Sequence, residues 1–142
     1  MIRKMLTGAV IGAGVLVMAM PAGAATDTRT ARFGRSTVTV TLQNDGSFTG
    51  SADIKGVSKP GHYIVFVEQF EYNAQHRIVS GATATLCEFD IAKHQHEATC
   101  SGTLTNNLLG GGWTDKTMAE VDRAVDGTGK PVRGPAVFKA AS

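Results

Sequence analysis

Two cysteines, Cys87 and Cys100, stand with twelve residues between them within Ala82 to Leu104, a stretch that reads as extended chain on both sides of a polar link. Ala82 to Ile91 is rich in β-branched and alternating apolar residues, and Glu97 to Leu104 resumes the pattern. Folded as a hairpin with Cys87 opposite Cys100, the two segments put Cys87, Phe89, Ile91, Ala98 and Cys100 on one face to be buried. Glu88, Asp90, Glu97 and Thr99 then face water. A disulfide closing so short a loop stabilises the chain by about 3 kcal/mol in the chain-entropy model. Such a bond forms and persists outside the reducing cytoplasm. The alternative, a nucleophilic thiol beside His94 or His96, loses its free thiol once the two sulfurs pair.

Export is expected from the first residues as well. Met1 to Ala24 reads as a cleaved secretory signal: Arg3 and Lys4 precede an apolar run that ends at Pro21, and Ala22-Gly23-Ala24 supplies a small-x-small cleavage site. The run is short for a membrane anchor, and no cysteine follows it to take a lipid. Two of the 14 Lys and Arg fall in this segment, which leaves 12 against 12 Asp and Glu. A formally neutral domain with interspersed charges argues against nucleic acid and an anionic membrane as partners. The remaining 118 of 142 residues suffice for one domain with a core.

Residues 25–35 are polar, carry Arg29, Arg32 and Arg35, and are expected to form a flexible basic arm; residues 36–142 are expected to form the folded domain. Val38, Val40 and Leu42 alternate with Thr37, Thr39 and Thr41, and Phe48, Gly50, Ala52 and Ile54 keep the period of two beyond the Asn44-Asp45-Gly46 turn. His62 to Tyr72 is apolar on both faces near its start, the mark of a central strand. Within it Glu68 falls in an aromatic row and is expected at the sheet rim or paired. Gly81 reads as a bulge or bend, and Gly110 to Gly112 as a flexible loop beside Trp113, either a core plug or an exposed anchor. Thr117 to Val125 fits a capped helix or a strand; amid extended segments it is read as a strand, followed by a final hairpin whose last member, with Pro131 and Pro135, is confined to an edge. Together these predict an all-β chain: one antiparallel β-sandwich of about seven strands, Greek-key or jelly-roll-like.

Few residues suggest chemistry. His94 and His96, with Glu97 and with Asp90 or His76 nearby, could hold zinc or copper, which would make the chain a small metal-dependent extracellular enzyme or metal-binding protein. Toward the tip of the hairpin, with Lys93 and Gln95 beside them, the same residues read first as a polar turn. Glu88, Asp90 and Glu97 could meet calcium, but no aspartate-rich loop has the spacing. No Gly-x-Ser-x-Gly and no phosphate-binding loop is present. The expectation is therefore a secreted, non-catalytic module without cofactor, which binds another exported protein or a surface glycan through Arg29, Arg32, Arg35 and Trp113. Its Ala-, Gly- and Thr-rich composition resembles that of small exported proteins of high-GC Gram-positive bacteria, a likeness of composition that assigns no functional residue.

Overall fold

The computed structural model describes residues 26–104, 108–124 and 131–140. Its eight strands are β1 (Asp27–Phe33), β2 (Ser36–Leu42), β3 (Phe48–Lys55), β4 (Gly61–Tyr72), β5 (Ile78–Ile91), β6 (Glu97–Leu104), β7 (Lys116–Arg123) and β8 (Pro131–Val137). They form two antiparallel four-stranded sheets, in the orders β1-β2-β3-β6 and β5-β4-β7-β8, and no helix occurs among the described residues. The expected Leader, Met1 to Ala24, lies outside the described residues, as does the Asp126 to Gly129 turn. Among the described residues no helix is long and apolar enough to cross a membrane, and the disulfide described below is compatible with an extracellular location.

The two sheets share one core in a β-sandwich-like arrangement. Period-two alternation sends Val38 and Val40 inward from β2, Ala52 and Ile54 from β3, Tyr63, Val65 and Val67 from β4, and Ala119 and Val121 from β7, all buried. Asp45 shapes the β2–β3 turn by accepting from the Ser47 amide at 2.9 Å, while Gly46 takes the left-handed φ of 83° that the turn demands. β7 is a strand as expected, and β8, with Pro131 and Pro135, is an edge strand.

Two expectations are corrected here. The cysteine segments are not a paired hairpin: β5 takes its backbone partner from β4 and β6 from β3, so the Cys87–Cys100 bond, with Cα atoms 5.8 Å apart, staples one sheet to the other. The same side chains turn inward in either case, with Cys87, Phe89 and Ile91 buried and Ala98 and Cys100 partly so, because alternation states which face is apolar but not which strand lies alongside. β5 also bulges. Leu86 drops out of the register between Val65↔Cys87 and Phe66↔Thr85, so Leu86 and Cys87 both turn inward. A second irregularity skips Val79, whereas Gly81 pairs regularly with Phe70. At the first bulge the sheets come so close that a Cβ on Gly102 of β6 would lie 1.8 Å from the Leu86 carbonyl oxygen.

The second correction concerns residues 25–35. Asp27–Phe33 is not a mobile arm but strand β1, in register with all of β2. Its odd positions carry Arg29, Ala31 and Phe33 inward, with Ala31 and Phe33 buried, and its even positions carry hydroxyls: Thr28 and Thr30 meet Thr41 and Thr39 at 2.7 and 3.0 Å. The arginines obscured that alternation, since a guanidinium on an aliphatic stem can follow an apolar face to its rim. The folded domain thus begins nine residues earlier than expected, at Asp27. On this side of the molecule Arg133 of β8 donates to the carbonyls of Phe33 (3.3 Å), Gly56 (3.2 Å) and Lys55, joining the two sheets opposite the disulfide.

Candidate functional site

An open groove of about 670 Å³ lies between the far end of the β4–β5 hairpin and the loop that precedes β7. Val79, Tyr72 and Glu71 form one wall, Gly110 to Gly112 and Asp115 the other, and Trp113 and Arg29 the floor. The Arg29 guanidinium lies 4.1 Å from the centre of the Trp113 ring, a cation–π contact, and is fixed there by Asp27 at 2.6 and 2.9 Å. Beneath, the indole meets Phe48 edge-on at 5.0 Å and Phe138 at 5.9 Å. Trp113 is therefore a half-buried plug of the core whose remaining surface belongs to the groove. Among the described residues its buried indole N–H has no hydrogen-bond partner.

Gln69 builds the loop wall. It occupies the inward face of β4 after Val65 and Val67, fully buried, and a buried primary amide must find partners. Its Nε2 donates to the Gly112 carbonyl at 2.9 Å and its Oε1 accepts from the Leu109 amide at 3.1 Å, gripping the loop on both sides of the left-handed Gly110 and Gly111. Asp115 adds a third tie by accepting from the Tyr72 amide at 2.9 Å. The glycine loop is thus tethered rather than free, and Gln69 was legible as an amide sharing a face with three apolar residues. Of the four expected partner-binding residues the fold brings two together, Arg29 and Trp113. Arg32 points outward from β1 and Arg35 stands exposed in the β1–β2 turn, so the three arginines form no common patch.

The histidine set is dispersed among structural tasks. His94 is exposed in the β5–β6 turn with a left-handed φ of 70°. His96 donates from Nδ1 to the Val57 carbonyl at 2.9 Å while its own carbonyl accepts from the Val57 amide at 3.0 Å, and Glu97 is exposed at the start of β6. Among the described residues no three His, Cys, Asp or Glu side chains lie where they could hold one metal ion between them.

Carboxylates instead gather on the outer face of the second sheet. Glu68 is half-buried at the middle of β4 rather than at the rim, opposite Met118 and beside Glu120, which in turn adjoins Asp122. Partial burial, reinforced by the negative charges of Asp122 and Glu68, pushes the Glu120 carboxyl up to about 7, and burial raises Asp122 as well. Glu68 therefore stands among other acids at the middle of the sheet, where Thr83 Oγ1 donates to its Oε1 at 3.5 Å. Nearby, His62 is bridged by Asp90 at Nδ1 (2.9 Å) and Glu88 at Nε2 (2.8 Å), and these two acceptors, Asp90 foremost, raise its pKa. No protein-family model, curated protein or solved structure matches this chain at a significant level.

Proposed function

We propose that this chain is a secreted, non-catalytic interaction module, an adaptor or accessory subunit that binds another exported protein through the groove floored by Trp113 and Arg29. The observation that carries the reading is the Arg29–Trp113 stack itself, set at the base of an open groove of about 670 Å³. Tryptophan and arginine dominate interface energies, and both are held here before any partner arrives, by Asp27, Phe48 and Phe138. Glu71 and Asp115 at the rim and exposed Val79 offer the mixture of charge and apolar surface that a polypeptide segment matches. The reading takes the domain as a Greek-key-type sandwich behind a cleaved leader, with chain crossings between the sheets after β3, β5 and β6.

Capture from the producing organism's culture fluid on immobilised mature protein tests the proposal. An Arg29→Ala/Glu71→Ala variant, which leaves the tryptophan in the core, is expected to lose at least tenfold in capture of a specific protein at an unchanged melting temperature. Equal capture by the variant and the parent would refute the groove as the binding site.

A further inference from the structure

We infer that β5 is a self-association edge, through which two copies of this chain pair their Ser80–Ala84 segments antiparallel to form one continuous eight-stranded sheet. Four strands end the two sheets, and three of them are shielded. β1 carries Asp27, Arg29 and Arg32 and is tied down at Phe33 by Arg133; β8 contains Pro131, Arg133 and Pro135; β6 is held against β5 by the disulfide. Charges, prolines and covering elements are the ordinary means by which an edge is kept from pairing. Ahead of Leu86, where β6 and the disulfide reach it, β5 has none of these among the described residues. From Ile78 to Cys87 it bears no charged residue and no proline, its backbone partners come from β4 alone among the described strands, and Ile78 and Val79 are 56% and 61% exposed.

The occupant that fits is a second copy. A foreign peptide added to an edge draws its specificity from pockets that receive alternate side chains. Ser80, Gly81, Ala82, Thr83 and Ala84 are all small and can form none. Against an identical strand the same smallness is favourable. A two-fold axis at Ala82 sets Ser80 opposite Ala84 and Gly81 opposite Thr83, keeps each pair on one face, and brings the exposed Val79 toward the partner's Thr85. No like charges meet, since Glu88 lies beyond the paired segment, and the formally neutral mature chain adds no net repulsion. With one open edge per copy among the described strands the contact is isologous and closes at two, so it does not propagate into a fibre. The paired segment is short, which places the dimer among weak interfaces with a dissociation constant in the micromolar-to-millimolar range.

Sedimentation equilibrium of the mature protein over that concentration range is expected to show a monomer–dimer equilibrium. Val79→Lys/Thr83→Lys sets lysines of the two copies within about 8 Å of each other across the pair and is expected to raise the dissociation constant at least tenfold. An equimolar mixture with Val79→Glu/Thr83→Glu should restore association. Hydrogen exchange of the unaltered protein supplies a test free of any variant: backbone amides within Ser80–Ala84 should slow at high concentration while those of β1 and β8 do not. A monomer at every concentration, a lysine variant that dimerises as well as the parent, or concentration-independent exchange at Ser80–Ala84 would each overturn the inference.

Discussion

Replacing Gly102 by alanine is expected to be among the most damaging single-methyl additions this domain can receive. The new Cβ would stand 1.8 Å from the Leu86 carbonyl oxygen and 2.9 Å from its carbon, whereas real Cβ contacts essentially never fall below 3.0 Å, so β5 and β6 must part by at least the 1.2 Å difference. Neither strand can yield cheaply. Leu86 is the bulge residue of a strand paired with β4 on both sides of it, and two residues before Gly102 the Cys87–Cys100 bond holds the strands together. Overpacking against side chains costs about 1–3 kcal/mol, and here the obstacle is backbone, which argues for the upper end. Gly102 does not adopt a left-handed φ, so alanine meets no conformational penalty and gains roughly 0.5 kcal/mol by restricting the unfolded chain. The net expectation is a loss of about 2 kcal/mol, or roughly a 1 M fall in urea midpoint with the disulfide intact. Gly134→Ala is the control, since its Cβ would meet nothing within 4 Å, and it should unfold with the parent. If both variants unfold at the parental midpoint, the close crossing of β5 and β6 is refuted.

Replacing both cysteines by alanine should remove about 3 kcal/mol and lower Tm by roughly 10–15 °C in calorimetry, because thirteen positions of chain are no longer closed into a loop. The folded-state pKa of Glu120, about 7, lies above the 4.5 of an unperturbed glutamate, so the folded chain keeps a proton that the unfolded chain releases between those pH values, and stability falls as pH rises across that window. Glu120→Gln should therefore exceed the parent by about 1–2 kcal/mol at pH 8 in denaturant unfolding and match it near pH 4. For His62 the sign is the same but the cause differs: its pKa is raised by acceptors, so its stabilising bridge is complete below the ordinary imidazole value and is lost as pH climbs through the folded one. Proton-detected titration should place His62 above 6.5 and return it toward that value in Asp90→Asn.

What could be read from residue order follows from which interactions are local. The Thr-Val alternation of β2, the Asp45-Gly46 turn and the extended form of β7 depend on neighbours a few positions away, and each appears in the fold as expected. The assignment of β5 and β6 to opposite sheets does not. It is decided by β4, whose two apolar faces require a central place and which therefore takes β5 and β7 as flanking partners, leaving β6 to β3. The same limit applies to the groove. Trp113 stood out by its glycine neighbours, but Arg29 joins it only because β1 is a strand, with that arginine on its inner side.

The two sheets are fastened by different means at their two sides. Between β5 and β6 the tie is covalent, whereas between β8 and the ends of β1 and β3 it consists of the three carbonyl contacts of one arginine. Fluctuations that separate the layers should accordingly pivot about the sulfur bridge, as covers turn about a spine, with β8 lifting first. A protease would then enter at β8 and remove the end of the chain well before any cut appeared near the cysteines.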